Sequence, residues 1–324
     1  NYLMTEETDA ARLQRIANTI NSDPNSTWRA NPSPSASYNY EQTKRMFNLK
    51  RTKLAPGRLD AAPVHLRSEP LPDNFDAREA WPGCSSIKEV YDQSACGSCW
   101  AFGAATAMSD RLCIASGQKD QRRISAEELV ECCFDCGDGC NGGELYPSWA
   151  YWKENGIVTG DVYNDKNSCK PYPFPPCNHH SDGPYDDCSK HDYDTPSCRH
   201  SCSNKDYDKK FKNDKIFASI AYEVDSNEQA IMHELVENGP VEAAFTVYED
   251  FPLYKEGVYK HTSNNALGGH AIRIIGYGVE NGVKYWLAVN SWNENWGDHG
   301  LFKILRGANE CEIESDVAAG LARL

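Results

Sequence analysis

The chain has 324 residues, 14 of them cysteine, and a formal net charge of −14 at pH 7. That length exceeds one typical domain, so two lobes and an extra segment are expected; the acidity argues against nucleic acid as a partner. No apolar run reaches the about 18 residues that would mark a membrane span, and cysteine usage this heavy points to an oxidising compartment, secretory, endolysosomal or extracellular.

Residues 1–70 carry 10 Lys and Arg against 7 Asp and Glu, a net of +3, which leaves 23 against 40, a net of −17, for the remainder. A weakly basic segment ahead of a strongly acidic body suits a propeptide docked on an acidic cleft, although Asn31-Pro-Ser-Pro-Ser-Ala-Ser also reads as a disordered tail. No signal peptide is visible at Asn1, so the numbering is expected to start after its removal. Asn25-Ser26-Thr27 is the only Asn-x-Ser/Thr triplet without proline, which makes Asn25 the candidate glycosylation site.

Next comes Gln93, then Cys96-Gly-Ser-Cys99-Trp100. A lone Cys-x-x-Cys would suggest a redox pair or half a zinc site. Far downstream, however, stand Gly268-Gly269-His270 and Asn290-Ser-Trp292, so a thiol, a base, an orienting amide and an oxyanion donor are all present. A thiol attacks a carbonyl as the thiolate, and an adjacent His favours that form. The small residues from Ala101 to Met108 predict a helix closed near Gly117, whose positive N-terminus would face the thiolate. Ser125-Ala-Glu-Glu128 reads as a capping box opening a second helix through Val130. A third helix is predicted from Ser226 to Asn238, ended by Gly239-Pro240, and strands over Val241–Val247, Ala271–Tyr277, Lys284–Asn290 and Leu301–Leu305. Cys132, Cys133, Cys136 and Cys140 crowd nine residues, but a zinc site needs reduced thiolates, so no metal is expected there.

The pentad, with Gln93, His270 and Asn290, resembles the papain-like cysteine peptidases, and within them cathepsin B. The family spacing from Cys to His and Asn is roughly 130–150 residues; here it is 270 − 99 = 171 and 290 − 99 = 191. The excess falls in the proline- and cysteine-rich stretch Cys169–Cys202, which looks like the occluding loop of cathepsin B. The implied fold is papain-like α+β: a propeptide over 1–70, a mainly helical lobe over 71–220 and a mainly β lobe over 221–324, with the site in the cleft between them. The mature enzyme would begin near Leu71-Pro72-Asp73. Trp28-Arg-Ala30 and Lys44-Arg45 resemble cathepsin B pro-segments, although Phe47 stands where many of them have cysteine.

The resemblance makes Cys99 the nucleophile, His270 the general base and Asn290 its orienter, shielded by Trp292; Gln93 donates to the oxyanion. Gly142 and Gly143 would bind substrate backbone, and Asp316 would floor the pocket for the residue before the scissile one. Glu144 reads either as a solvated rim residue or as a second acid of that pocket. His179 and His180, when protonated, would grip the C-terminal carboxylate of a substrate and make the enzyme a peptidyl-dipeptidase as well as an endopeptidase. One of them, most naturally His179, would pair with Asp92. A second family latch is missing, since Tyr185 and Asn295 stand at its positions.

The implied disulfides are Cys84–Cys113, Cys96–Cys140, Cys132–Cys198, Cys133–Cys136, Cys169–Cys202 and Cys177–Cys188, leaving Cys99 and Cys311 free. Implied partners are protein and peptide substrates, the chain's own propeptide as inhibitor, and cystatin-like inhibitors; no cofactor is expected. The implied setting is lysosomal, endosomal or secreted. A catalytically dead relative acting as a binder is the alternative, and it would normally have lost Cys99, His270 or Gln93.

Overall fold

The computed structural model describes residues 7–50, 60–63 and 70–324. The rest of the predicted propeptide, including the approach to its expected boundary at residue 70, lies outside the described residues.

In chain order the main elements are α1 (Asp9–Ser22), β1 (Trp28–Ala30), α2 (Tyr40–Arg45), β2 (Phe75–Asp76), α3 (Ala77–Ala80), α4 (Cys99–Ala115), α5 (Ala126–Cys132) and α6 (Leu145–Glu154). They are followed by β3 (Ala218–Glu223), α7 (Glu228–Asn238), β4 (Val241–Tyr248), β5 (Tyr254–Tyr259), β6 (Ala266–Glu280), β7 (Val283–Val289), β8 (Leu301–Leu305) and β9 (Val317–Ala322). Among the described residues nine strands join in one sheet of order β1-β5-β8-β7-β6-β4-β9-β3, with β2 paired to β6. All pairings are antiparallel except β5 with β8.

Nearly every residue of α4 is buried, so the helix is packed on all sides, mostly through small and apolar residues. Its small residues allow the close approach: a Cβ on Gly103 would lie 3.0 Å from Glu242 on β4. Two buried ion pairs pin the helix. Asp110 meets Arg273 of β6 at 2.7 Å, and Arg111 meets Glu234 of α7 at 2.8 Å. Removing one member of such a pair leaves a buried charge uncompensated, at a cost of about 3–5 kcal/mol.

One core gathers α4, α5 and α6 around Trp100, Trp149 and Trp152. The other fills the sheet side with Phe245, Phe251, Trp286, Trp292, Trp296 and Phe302. Leu13, Ala17, Ile20, Trp28 and Phe47 of the N-terminal segment belong to this second core.

The division at 71 and 221 marks the chain but not the lobes. Phe75 and Asp76 pair with Tyr277 and Gly276, so the first residues of the expected helical lobe are a strand on the β lobe. In return Ala318 of β9 is buried in the helical core. Backbone donors at a strand edge need partners wherever they come from in sequence, and the pairing of β2 with β6 supplies them.

Ser125 caps α5 by accepting the Glu128 N–H at 3.1 Å, but the reciprocal arm of the capping box is absent. Instead the Glu128 carboxylate takes the Val158 N–H at 2.7 Å and meets Lys215. The third predicted helix begins two residues late, with Asn227 as its cap.

Candidate active site

Cys99 is the first residue of α4, where backbone N–H groups and the helix dipole favour negative charge. His270 lies on β6, opposite Phe245 of β4. Asn290 follows directly on β7, and its side-chain carbonyl oxygen accepts from His270 Nε2 at 2.8 Å, which places the ring proton on Nε2 and leaves Nδ1 with its lone pair. Trp292 covers this contact, its ring 5.1 Å from that of His270.

Gln93 is completely buried and its amide orientation is fixed. The carbonyl oxygen accepts from Ser291 Oγ at 2.7 Å, and Nε2 donates one hydrogen to the Cys96 carbonyl at 2.9 Å. The second amide hydrogen has no acceptor among the described residues. Tyr172 donates its hydroxyl to the Gln93 backbone carbonyl at 2.7 Å, and the Gln93 backbone N–H donates to the Ser291 backbone carbonyl at 2.9 Å. Ser291 and Tyr172 thus hold the donor, a role that the sequence reading missed. Ser291 adjoins Asn290, which was the available signal.

The site is closed by the N-terminal segment. Phe47 sets its ring edge-on against His270 at 5.4 Å and touches Trp292 at 5.7 Å. Beyond it, the Leu49 N–H donates to the Gly269 carbonyl at 3.3 Å and the Lys50 N–H to the Gly143 carbonyl at 2.9 Å. Gly142, at φ +108°, must be glycine: a Cβ there would lie 2.0 Å from the Asn48 carbonyl oxygen.

Electrostatics follow from this closure. Burial pushes the Cys99 thiol up to about 12, against the pull of neighbouring backbone N–H groups. Burial likewise drives His270 down to about 4, partly offset by its bond to Asn290 and reinforced by His179. Both groups are neutral in this form, and His270 Nδ1 has no hydrogen-bond partner among the described residues. The thiolate–imidazolium pair needs water or substrate in place of Phe47.

Asp92 is the hub of the Cys169–Cys202 loop. It accepts from His179 Nε2 at 2.7 Å, from the Cys177 N–H at 3.0 Å, from Asn293 Nδ2 at 2.8 Å and from the Ser94 N–H at 2.7 Å. Asn293 also donates to the Cys177 carbonyl at 2.9 Å and was not anticipated. His179 stacks nearly parallel on Trp292 at 5.8 Å, and His180 meets the same indole at 4.8 Å. Burial, then His179, push His180 down to about 3. Tyr38 of the N-terminal segment covers it at 5.9 Å, so neither imidazole is free to grip a carboxylate here.

Asp316 is half-buried and helps to push the buried Glu242 carboxyl well above its usual range, after the larger effect of burial itself. Glu144 stands at the start of α6, directly after Gly143. Asn25 is exposed in the loop between α1 and β1. The six disulfides join the cysteines in the pairs that the resemblance implies, so Cys132, Cys133, Cys136 and Cys140 hold no thiolate for a metal. Cys99 and Cys311 are the free thiols.

Residues 71–321 match the profile of the papain family cysteine proteases. The chain belongs to that family. It is 45% identical to a cathepsin B-like cysteine proteinase of Schistosoma japonicum over 306 residues, which is 94% of this chain and 89% of the relative. To cathepsin B-like cysteine proteinase 6 of Caenorhabditis elegans it is 52% identical over 255 residues, or 78% of this chain and 67% of the relative. The solved structure of procathepsin B S9 from Trypanosoma congolense superposes with a TM-score of 0.82 at 36% identity, covering 96% of this chain and 98% of that one. The chain is therefore a cysteine peptidase of the cathepsin B type, with a papain-like α+β fold.

Proposed function

We propose that the chain is the zymogen of a peptidase that cleaves peptide bonds through a thioester, both internally and by releasing C-terminal dipeptides. Cys99 attacks the scissile carbonyl after His270 Nδ1 takes its proton. Gln93 Nε2 and the Cys99 N–H stabilise the oxyanion, and the imidazolium then protonates the leaving amine. Water, activated by the same imidazole, hydrolyses the acyl-enzyme. Asn290 keeps the ring in the productive tautomer throughout.

The observation that carries the reading is the path of residues 47–50, whose backbone bonds to Gly269 and Gly143 occupy the positions where a substrate strand would lie. A segment that uses substrate contacts and caps His270 is an inhibitor by construction. The dipeptidyl mode rests on His179 and His180, which flank Trp292; departure of Tyr38 uncovers His180, while His179 is reached only when its bond to Asp92 opens. Asp316, beside Glu242, supports a pocket that takes basic as well as apolar side chains. A lysosomal, endosomal or secreted setting and a glycan on Asn25 fit the six disulfides.

Acidifying the purified chain while following its mass and its peptidase activity tests the whole proposal. Loss of the N-terminal segment should coincide with the onset of hydrolysis. Activity at full length, or none after the segment is gone, would overturn it.

A further inference from the structure

Three clusters of cysteine, histidine and acidic side chains gather possible ligand atoms among the described residues. In two of them, Cys132/Cys198/His200 and Cys177/His179/Cys188, the sulfurs are joined in disulfides. The third is different. His261, Glu310 and Cys311 meet on the sheet lobe, and Cys311 is a free thiol that the peptidase mechanism does not use.

Cys311 Sγ lies 3.8 Å from His261 Nδ1 and 3.5 Å from Glu310 Oε1, while Nδ1 and Oε1 are 2.5 Å apart. A tetrahedral zinc ion with the usual bond lengths separates a sulfur from a nitrogen or an oxygen by about 3.5–3.6 Å, and the nitrogen from the oxygen by about 3.4 Å. Two of the three edges are already near those values, and the third opens when the His261–Glu310 hydrogen bond gives way to the ion. The set is also prearranged. Glu310 accepts the His261 backbone N–H at 2.8 Å, and Tyr248 stacks on the imidazole at 4.4 Å. Asn309, Cys311 and Glu312 take left-handed backbone angles of +48°, +51° and +63°, which side-chain-bearing residues adopt only when their surroundings hold them. Asp250 and Glu312 add negative charge around the thiol. Glu310 and Cys311 are buried, whereas His261 is 30% exposed in its side chain, which leaves a route for entry and a place for a water as fourth ligand.

We propose that His261, Glu310 and Cys311 form a binding site for a thiophilic divalent cation of the zinc type, separate from the catalytic cleft. On binding, the Cys311 proton goes to solvent, the His261 proton moves to Nε2, and the ion takes their places on Sγ and Nδ1. The ion ties the end of β5 to the turn that leads into Asp316 and β9.

The test uses the full chain carrying Cys99→Ser, so that the catalytic thiol cannot compete. Titration with Co²⁺ should develop a thiolate-to-metal charge-transfer band and tetrahedral visible bands at one equivalent, bleached by Zn²⁺. Cys311→Ser should abolish the charge-transfer band. His261→Gln and Glu310→Gln should each weaken binding roughly tenfold or more, since even outer partners of metal ligands are worth that much. The partly exposed His261 keeps the test alive should Cys311→Ser fail to fold. Absence of the band, its survival in Cys311→Ser, or unchanged affinity in His261→Gln would overturn the proposal.

Discussion

The catalytic floor and the Cys169–Cys202 loop lie a few ångströms apart, yet they are held in opposite ways. On the floor every group has several restraints: Gln93 has four hydrogen bonds, His270 is clamped between Asn290, Trp292 and Phe47, and α4 is locked by two buried ion pairs. On the active-site side, the loop converges on a single carboxylate, Asp92, and the positions of a second latch hold Tyr185 and Asn295, which carry no charge. Over-determination suits a centre whose atoms must be placed to within a fraction of an ångström. A single hub suits an element that, in the function proposed above, opens to switch between two modes of cleavage.

The contrast can be broken most sharply at the nucleophile. Cys99→Ala should lower kcat by on the order of 10⁴-fold or more, with the melting curve unchanged, because chemistry alone is lost. Substantial residual turnover would mean that another thiol does the work. Gln93→Ala should cost ~10²–10³ in kcat. Ser291→Ala should cost less, through kcat and not KM, since it frees the Gln93 amide without removing it.

On the loop side, Asp92→Asn and the double variant His179→Ala/His180→Ala should reduce C-terminal dipeptide release about tenfold or more, the worth of a charge-assisted carboxylate contact. Cleavage of internal bonds should hold or rise, and a C-terminally amidated substrate should mimic the loss in the unmutated enzyme. Equal losses in both assays would make the pair structural.

Acid release of the N-terminal segment sharpens the comparison further. With the segment docked, His180 and His270 titrate at about 3 and about 4. Undocked and wetted they return to the ordinary range near ~6.5. Groups with depressed values in the docked state favour docking above the free pKa, and that advantage is lost as pH falls from ~6.5 toward the docked values. Release measured by mass should therefore accelerate through this window. A rate flat between pH ~6.5 and ~4 would remove the histidines from the account. Charge pairing is the smaller influence: among the described residues two ion pairs cross between segment and body, Arg12–Glu249 and Asp60–Lys153. Added salt should accelerate release only a few-fold, and less than Phe47→Ala does.

The centre of the site was legible because its motifs are local. Cys99 with its helix, Gly269-His270 and Asn290-Ser291 each sit in a short stretch whose chemistry is plain, and the strand predictions around them differ from the structure mainly at their ends. What escaped depends on contacts remote in sequence. Short β2, β3, β5 and β9 lack strong alternation and exist because a neighbour offers backbone partners. Helix α6 opens with Leu145-Tyr146-Pro147 and carries four aromatics, a pattern that propensity alone does not favour. Asn293 and Tyr172 are ordinary polar residues until folding brings them to Asp92 and Gln93. The charge asymmetry of residues 1–70 suggested electrostatic docking, whereas the described contacts are chiefly apolar packing and strand pairing.

That strand pairing ends when the segment leaves. β1 is the terminal strand of the sheet, laid against β5 with Trp28 opposite Gly257 and Arg29 opposite Glu256. When the N-terminal segment is cut away, β5 inherits the exposed rim and its unpaired N–H and C=O groups, a template on which other extended chains can stack. The guard against this is already in place: Lys255 and Glu256 project into solvent midway along the strand, and Gly257 at φ +89° bends it out of the flat geometry that stacking requires. Removal of the segment would thus replace one edge strand, β1, with another, β5, guarded by two opposite charges and a kink. Neutralising Lys255 and Glu256 together should leave the zymogen soluble and make the processed enzyme prone to self-association.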